Sequence, residues 1–133
     1  MYLDNVTSKQ LTCDSIMNTL FNLHDKAHYY HLQTQSLSQH LMLKDLYEAL
    51  EEHKDAICEF LLGVMAPKRF GPRMKETCPN FSDAVLNQFL DEGFKFSMDL
   101  CKYAEEKNLE ELCNLSSNLQ GSFVKSRYLN TLK

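Results

Sequence analysis

Residues 26–63, KAHYYHLQTQSLSQHLMLKDLYEALEEHKDAICEFLLG, decide the fold. Two runs of helical period meet in them at a break near Thr34 to Ser36. Before the break, Leu11, Met17, Leu20, Leu23, Ala27 and His31 recur on one helical face. After it, Leu43, Tyr47, Leu50, Ile57 and Leu61 do the same. Ser36-x-x-Gln39 and, upstream, Thr7-x-x-Gln10 have the form of capping boxes, and Gly63 is a natural stop. The pattern predicts helix A over about 8–33 and helix B over about 36–63, folded back on each other.

Beyond this hairpin, all three prolines, Pro67, Pro72 and Pro79, fall with Gly71 in a connecting stretch. Val85, Phe89, Phe96, Leu100 and Ala104 then mark helix C, about 82–107. Asn108-x-x-Glu111 offers a cap for helix D, about 110–132, with Leu112, Leu115, Leu119, Val124, Tyr128 and Leu132 as its apolar face. Gly121 inside helix D marks either a close backbone approach or a surface position. No segment alternates like a strand. Residues 1–133 therefore read as a single all-α domain, a four-helix bundle with a long B to C crossover.

The chain has 133 residues, 44% hydrophobic, and a net charge of −4, which suits one core and gives no global field for nucleic acid or an anionic membrane. No run approaches the roughly 20 apolar residues of a membrane span, and no cationic leader opens the chain, so a cytoplasmic location is expected. The five cysteines form no C-x-x-C pair and read as reduced thiols, mostly as small apolar filler.

His28, His40, Asp55 and Glu59 are the candidate metal ligands. Counted from the turn, His28 and His40 fall at nearly one level of the hairpin. Asp55 lies roughly 22 Å farther along helix B, with Glu59 one turn beyond it. One chain cannot close a site from all four. A second copy with its helix B antiparallel, about a two-fold axis near Glu48 to Leu50, brings each histidine pair to the partner's carboxylates. Imidazole with hard oxygen donors suits iron; zinc or manganese fits the same set. The plainer reading makes Asp55 and Glu59 a solvated face and the histidines ordinary polar residues.

The pattern Ala27-His28, His40 and His53-x-Asp55-x-x-x-Glu59 resembles the A and B helices of the mini-ferritins, the starvation-induced DNA-protecting (Dps) family of the ferritin-like superfamily. The rhythm of NLEELCNLSSNLQGSFVKSRYLNTL, residues 108–132, continues the resemblance more weakly. HYYHLQT is similar to a segment of ferritin-like proteins carried by tailed phages, which implies a host cytoplasm for such a phage protein. The resemblance implies a ferritin-like bundle, a homodimer or larger homo-oligomer through helix B, and ferroxidase-type oxidation of iron at the two-fold interface.

The family usually has an acidic ligand one turn after the second histidine, where this chain has Lys44. An ammonium there modulates the site, by repelling a dication or by pairing with Asp55 or Glu59 of the partner subunit. His24 and His31 flank His28 as extra ligands or as partly buried rings. Lys68, Arg69, Arg73 and Lys75 form a basic loop, either solvated or in contact with an anion or protein partner; a nucleic-acid role finds little support in an acidic chain. Two functions stand side by side: an iron-binding, iron-oxidising protein, and a metal-free helical interaction protein that binds, for example, a host component.

Overall fold

Four helices and no strands stand among the residues described by the computed structural model, 11–65 and 68–132. They are α1 (Cys13–Gln33), α2 (Leu37–Val64), α3 (Asp83–Glu106) and α4 (Glu110–Asn130). The all-α four-helix architecture is therefore present. None of these helices is long and apolar enough to cross a membrane.

Local chemistry sets the helix starts. Thr12 caps α1: its hydroxyl accepts from Ser15 N at 3.0 Å, and the Ser15 hydroxyl accepts from Thr12 N at 2.8 Å. Among the described residues the helix thus begins at Cys13 behind Thr12; the Thr7 box and a start near Ser8 lie outside them. Ser36 caps α2 by accepting from Gln39 N at 3.3 Å, but the Gln39 side chain does not close the box. It donates instead to Asp83 at 3.0 Å and so ties the start of α2 to the start of α3. Gly63 is no stop, since α2 continues through Val64.

Asn108 has a different role from the expected cap. Its φ of 58° puts it in the left-handed region, where it closes α3, and α4 opens behind Leu109 with no side-chain cap. Asparagine tolerates that backbone better than most residues because its short amide can bond locally.

The helices pack as α1 on α2, α3 on α4 and α2 on α4, with lighter contact between α1 and α3. Leu20, Leu43, Leu50, Leu61, Leu86 and Leu119 are among the fully buried side chains between them. At one end Tyr30 meets Phe81 and Phe89 edge to face, with centroids 6.0 and 5.6 Å away. On α4 the inward face is Leu112, Ser116, Leu119, Phe123 and Ser126. Val124, Tyr128 and Leu132 point outward, at 48%, 62% and 49% exposure, against the sequence expectation. They lie off the face that Leu112, Leu119 and Phe123 share, and a Cβ at Gly93 would overlap the Phe123 ring, so α3 yields its own side-chain volume to that ring. Gly121 has nothing within 4 Å of a built Cβ and is a surface glycine.

The link between α2 and α3 follows α1. Gly71 N donates to Asp14 at 2.9 Å, Met74 N to Asn18 at 2.6 Å, Glu76 N to Asn22 at 3.2 Å and Phe81 N to Gln33 at 2.7 Å. Partners on α1 thus advance with the link, so the chain returns to the end where α2 began. Consequently α3 starts beside the α1–α2 turn and runs parallel to α2.

Candidate functional site

Rings from α1 and α2 form a continuous column along the hairpin. His31 and His40 stack with centroids 3.8 Å apart and planes 22° apart. Each uses its Nδ1 on the other's backbone carbonyl, at 2.8 Å for His31 and 2.9 Å for His40. A carbonyl can only accept, so both Nδ1 atoms carry protons, and Nε2 is the nitrogen that bears the lone pair whenever the ring is neutral. That is the tautomer a metal-ligating histidine needs, with its second nitrogen fixed on a carbonyl.

Tyr47 of α2 continues the column, 5.2 Å from His31, 4.5 Å from His28 and 6.1 Å from His24 between centroids. At its far end His24 Nε2 faces a Glu51 carboxylate oxygen at 3.1 Å. Burial, followed by the Lys54 charge, lowers the His24 pKa, with Glu51 and Asp25 opposing. Neutral His24 therefore donates from Nε2 to Glu51.

His40 accordingly meets His31, three residues nearer the turn than His28, which was expected at its level. The stagger of the two helices follows from the tight Thr34–Ser36 connection, where Ser36 N donates to the Thr34 hydroxyl at 3.2 Å. His28 is exposed and touches rings, with no hydrogen bond among the described residues. Tyr47 and Glu51 were missed as members of this face, although they follow His40 at seven and eleven residues, a helical spacing that sequence alone contains.

Asp55 and Glu59 lie on exposed surface farther along α2, each without a hydrogen bond or ion pair among the described residues. They border a shallow, mainly apolar cleft of about 330 Å³ with Phe21, Cys58, Phe70 and Arg73. Burial pushes the Cys58 thiol up to about 11, so it stays protonated beside them. Among the described residues no three histidine, cysteine, aspartate or glutamate side chains of one chain gather closely enough to hold a metal ion. Lys44 is exposed and binds Glu48 one turn on, at 2.8 Å. That hydrogen bond raises its pKa and keeps it charged.

The basic loop divides. Lys68, Arg69 and Lys75 are exposed, but Arg73 turns inward to ion-pair with Asp25, bonds Asn22 at 3.3 Å and lies over Phe21. It anchors the link to α1 and offers little charge to an outside anion. Phe70 is half-buried and packs against the core. His53, two residues before Asp55, turns to the neighbouring helix. Its Nε2 bonds the Ser122 hydroxyl of α4 at 2.8 Å, which ties α2 to α4.

No protein-family model matches this chain, and no curated protein or solved structure matches it either.

Proposed function

We propose that the chain is a mini-ferritin-like subunit that binds and oxidises ferrous iron, its substrate, at sites shared across an antiparallel α2–α2 dimer. The observation that carries this reading is the outer stripe of α2. Leu37, Leu41, Lys44, Glu48, Asp55, Glu59 and Leu62 all lie on exposed surface at helical spacing. The stripe is self-complementary about a two-fold axis near Glu48 to Leu50. Leu37 then faces Leu62 of the partner subunit, His40 faces Glu59 of the partner subunit, and Lys44 faces Asp55 of the partner subunit.

Leucines at 73% and 51% exposure, Leu37 and Leu41, favour burial in such an interface. The helix pairings and the link that returns along α1 support a ferritin-like bundle with one long crossover. Neutral His40 and His31 would offer lone pairs from Nε2, and Asp55 and Glu59 offer oxygens with no competing partner among the described residues of their own chain. His28 and His24 extend the donor set toward the axis. Imidazole and carboxylate together suit iron, and equally zinc or manganese as competitors.

A second reading keeps the dimer and drops the metal. Lys44 favours it, because an ammonium already paired with Glu48 can exchange to Asp55 of the partner subunit and fill the position a dication would take. The protein then acts through its helical surface on another protein.

Ferrous iron added to aerobic protein separates the two. Iron oxidation, followed by ferric absorbance and by metal bound per chain, should exceed that of a His40→Ala, Glu59→Ala double variant. Equality of the two proteins ends the iron reading. Lys44→Asp should raise iron affinity by about tenfold, which corresponds to about 1.4 kcal/mol. The mass in solution completes the test, since a monomer removes both readings of the stripe.

A further inference from the structure

The α3–α4 hairpin holds a feature that the iron reading does not use. Cys101 of α3 lies seven residues before Asn108, the left-handed closing residue, and Cys113 of α4 lies five after it. Antiparallel helices packed and joined so tightly bring these positions to one level, and Cys101 is near enough to act on the Cys113 thiol. Both cysteines are free and partly accessible.

The other thiols have different surroundings. Cys58 is buried in the core, Cys78 interacts with Tyr30, and Cys13 lies within electrostatic reach of Tyr103 and Lys107. Cys101 and Cys113 are thus the pair poised to react with each other.

We propose that Cys101 and Cys113 are a peroxide-oxidisable dithiol that closes to a disulfide across the α3–α4 hairpin. In the first step the Cys101 sulfur attacks one oxygen of hydrogen peroxide. The O–O bond breaks, Cys101 becomes a sulfenic acid, and the second oxygen leaves as water with the thiol proton. In the second step the Cys113 sulfur attacks the Cys101 sulfur. The S–O bond breaks, the Cys113 proton leaves with the hydroxyl as a second water, and the S–S bond forms. Two thiols lose two electrons in total and one peroxide gains them.

The order of roles follows from the surroundings. Burial, then the charges of Cys101 and Glu105, hold Cys113 above its ordinary pKa, so it stays a thiol and serves as the resolving partner. The bridge would cross-link the start of α4, which has no side-chain cap, to the last turns of α3.

The test uses the reduced full chain, treated with hydrogen peroxide, alkylated, and digested with trypsin without reductant. Lys102 and Lys107 lie between the two cysteines, so trypsin separates their peptides unless a bridge joins them. The expected result is a linked Cys101–Cys113 peptide, with accessible thiols falling by two per chain and a higher melting temperature. Cys101→Ser should lose the linked peptide and the rise in melting temperature together. The proposal fails if both thiols remain alkylatable after peroxide, if the bridge joins another pair, or if oxidation ends as sulfinic acid on a single cysteine.

Discussion

The two hairpins of this bundle are built on opposite terms. The α3–α4 hairpin is joined by direct packing, with the Phe123 ring set into the space Gly93 leaves open. The α1–α2 hairpin carries a column of imidazole and phenol rings on one side and the docked link on the other. One half is specified by shape and the other by hydrogen bonds and charge. A functional surface can be assembled on the second half because the first supplies its own cohesion.

The largest break should come at the packed half. Phe123→Ala empties the ring's site at full burial and should cost about 3–5 kcal/mol, read from urea unfolding. Gly93→Ala gains up to about 1 kcal/mol of helix propensity but loses about 1–3 kcal/mol to overlap with that ring, so a net loss is expected. If Gly93→Ala unfolds no more readily than the parent chain, the two halves do not differ in this way.

Acid should test the other half. His24 and His53 both have pKa values lowered by burial from 6.5, with Lys54 also acting on His24. The unfolded chain therefore binds protons first, and stability, complete above pH 6.5, declines as pH falls through that value toward the lower folded pKa values. His53→Gln keeps a group able to bond Ser122 but removes one titration. Its stability between pH 7 and 5 should fall less steeply than that of the parent chain, and an unchanged slope would place the acid sensitivity elsewhere.

The smallest effect is a gain. Gly121→Ala on the open face of α4 should stabilise by about 0.5–1 kcal/mol, the reverse of its counterpart Gly93→Ala, as a rise in melting temperature would show.

Periodicity made the four helices and most of the core legible, because Leu20, Leu43, Leu50 and Leu119 repeat where the interior needs them. On α4 the period itself points to Phe123, four residues after Leu119, and the expected face left it by taking Val124, which lies about 140° round the helix from Leu119. What sequence did not show is the vacancy at Gly93, thirty residues away, that receives the Phe123 ring. At the site, spacing along one helix was readable, as in Asp55 and Glu59. Spacing between helices was not, because the stagger that pairs His40 with His31 is set by the conformation of a three-residue connection, Thr34 to Ser36, outside any periodic pattern. Arg73 read as loop charge because nothing local marks Asp25 and Asn22, some fifty residues earlier, as its partners.

The link lies along α1 much as a foreign peptide lies in a groove. Asp14, Asn18 and Asn22, each four residues apart, read its main chain at Gly71, Met74 and Glu76, with Asn22 also donating to the Met74 carbonyl. Recognition of backbone leaves the outward side chains of the link free to vary, so long as proline does not replace a residue whose N–H is used. Tethering holds this segment at high effective concentration, so few contacts suffice to retain it. Helix α1 is in this sense a receptor for its own chain, and the direction of α3 is the outcome of that binding.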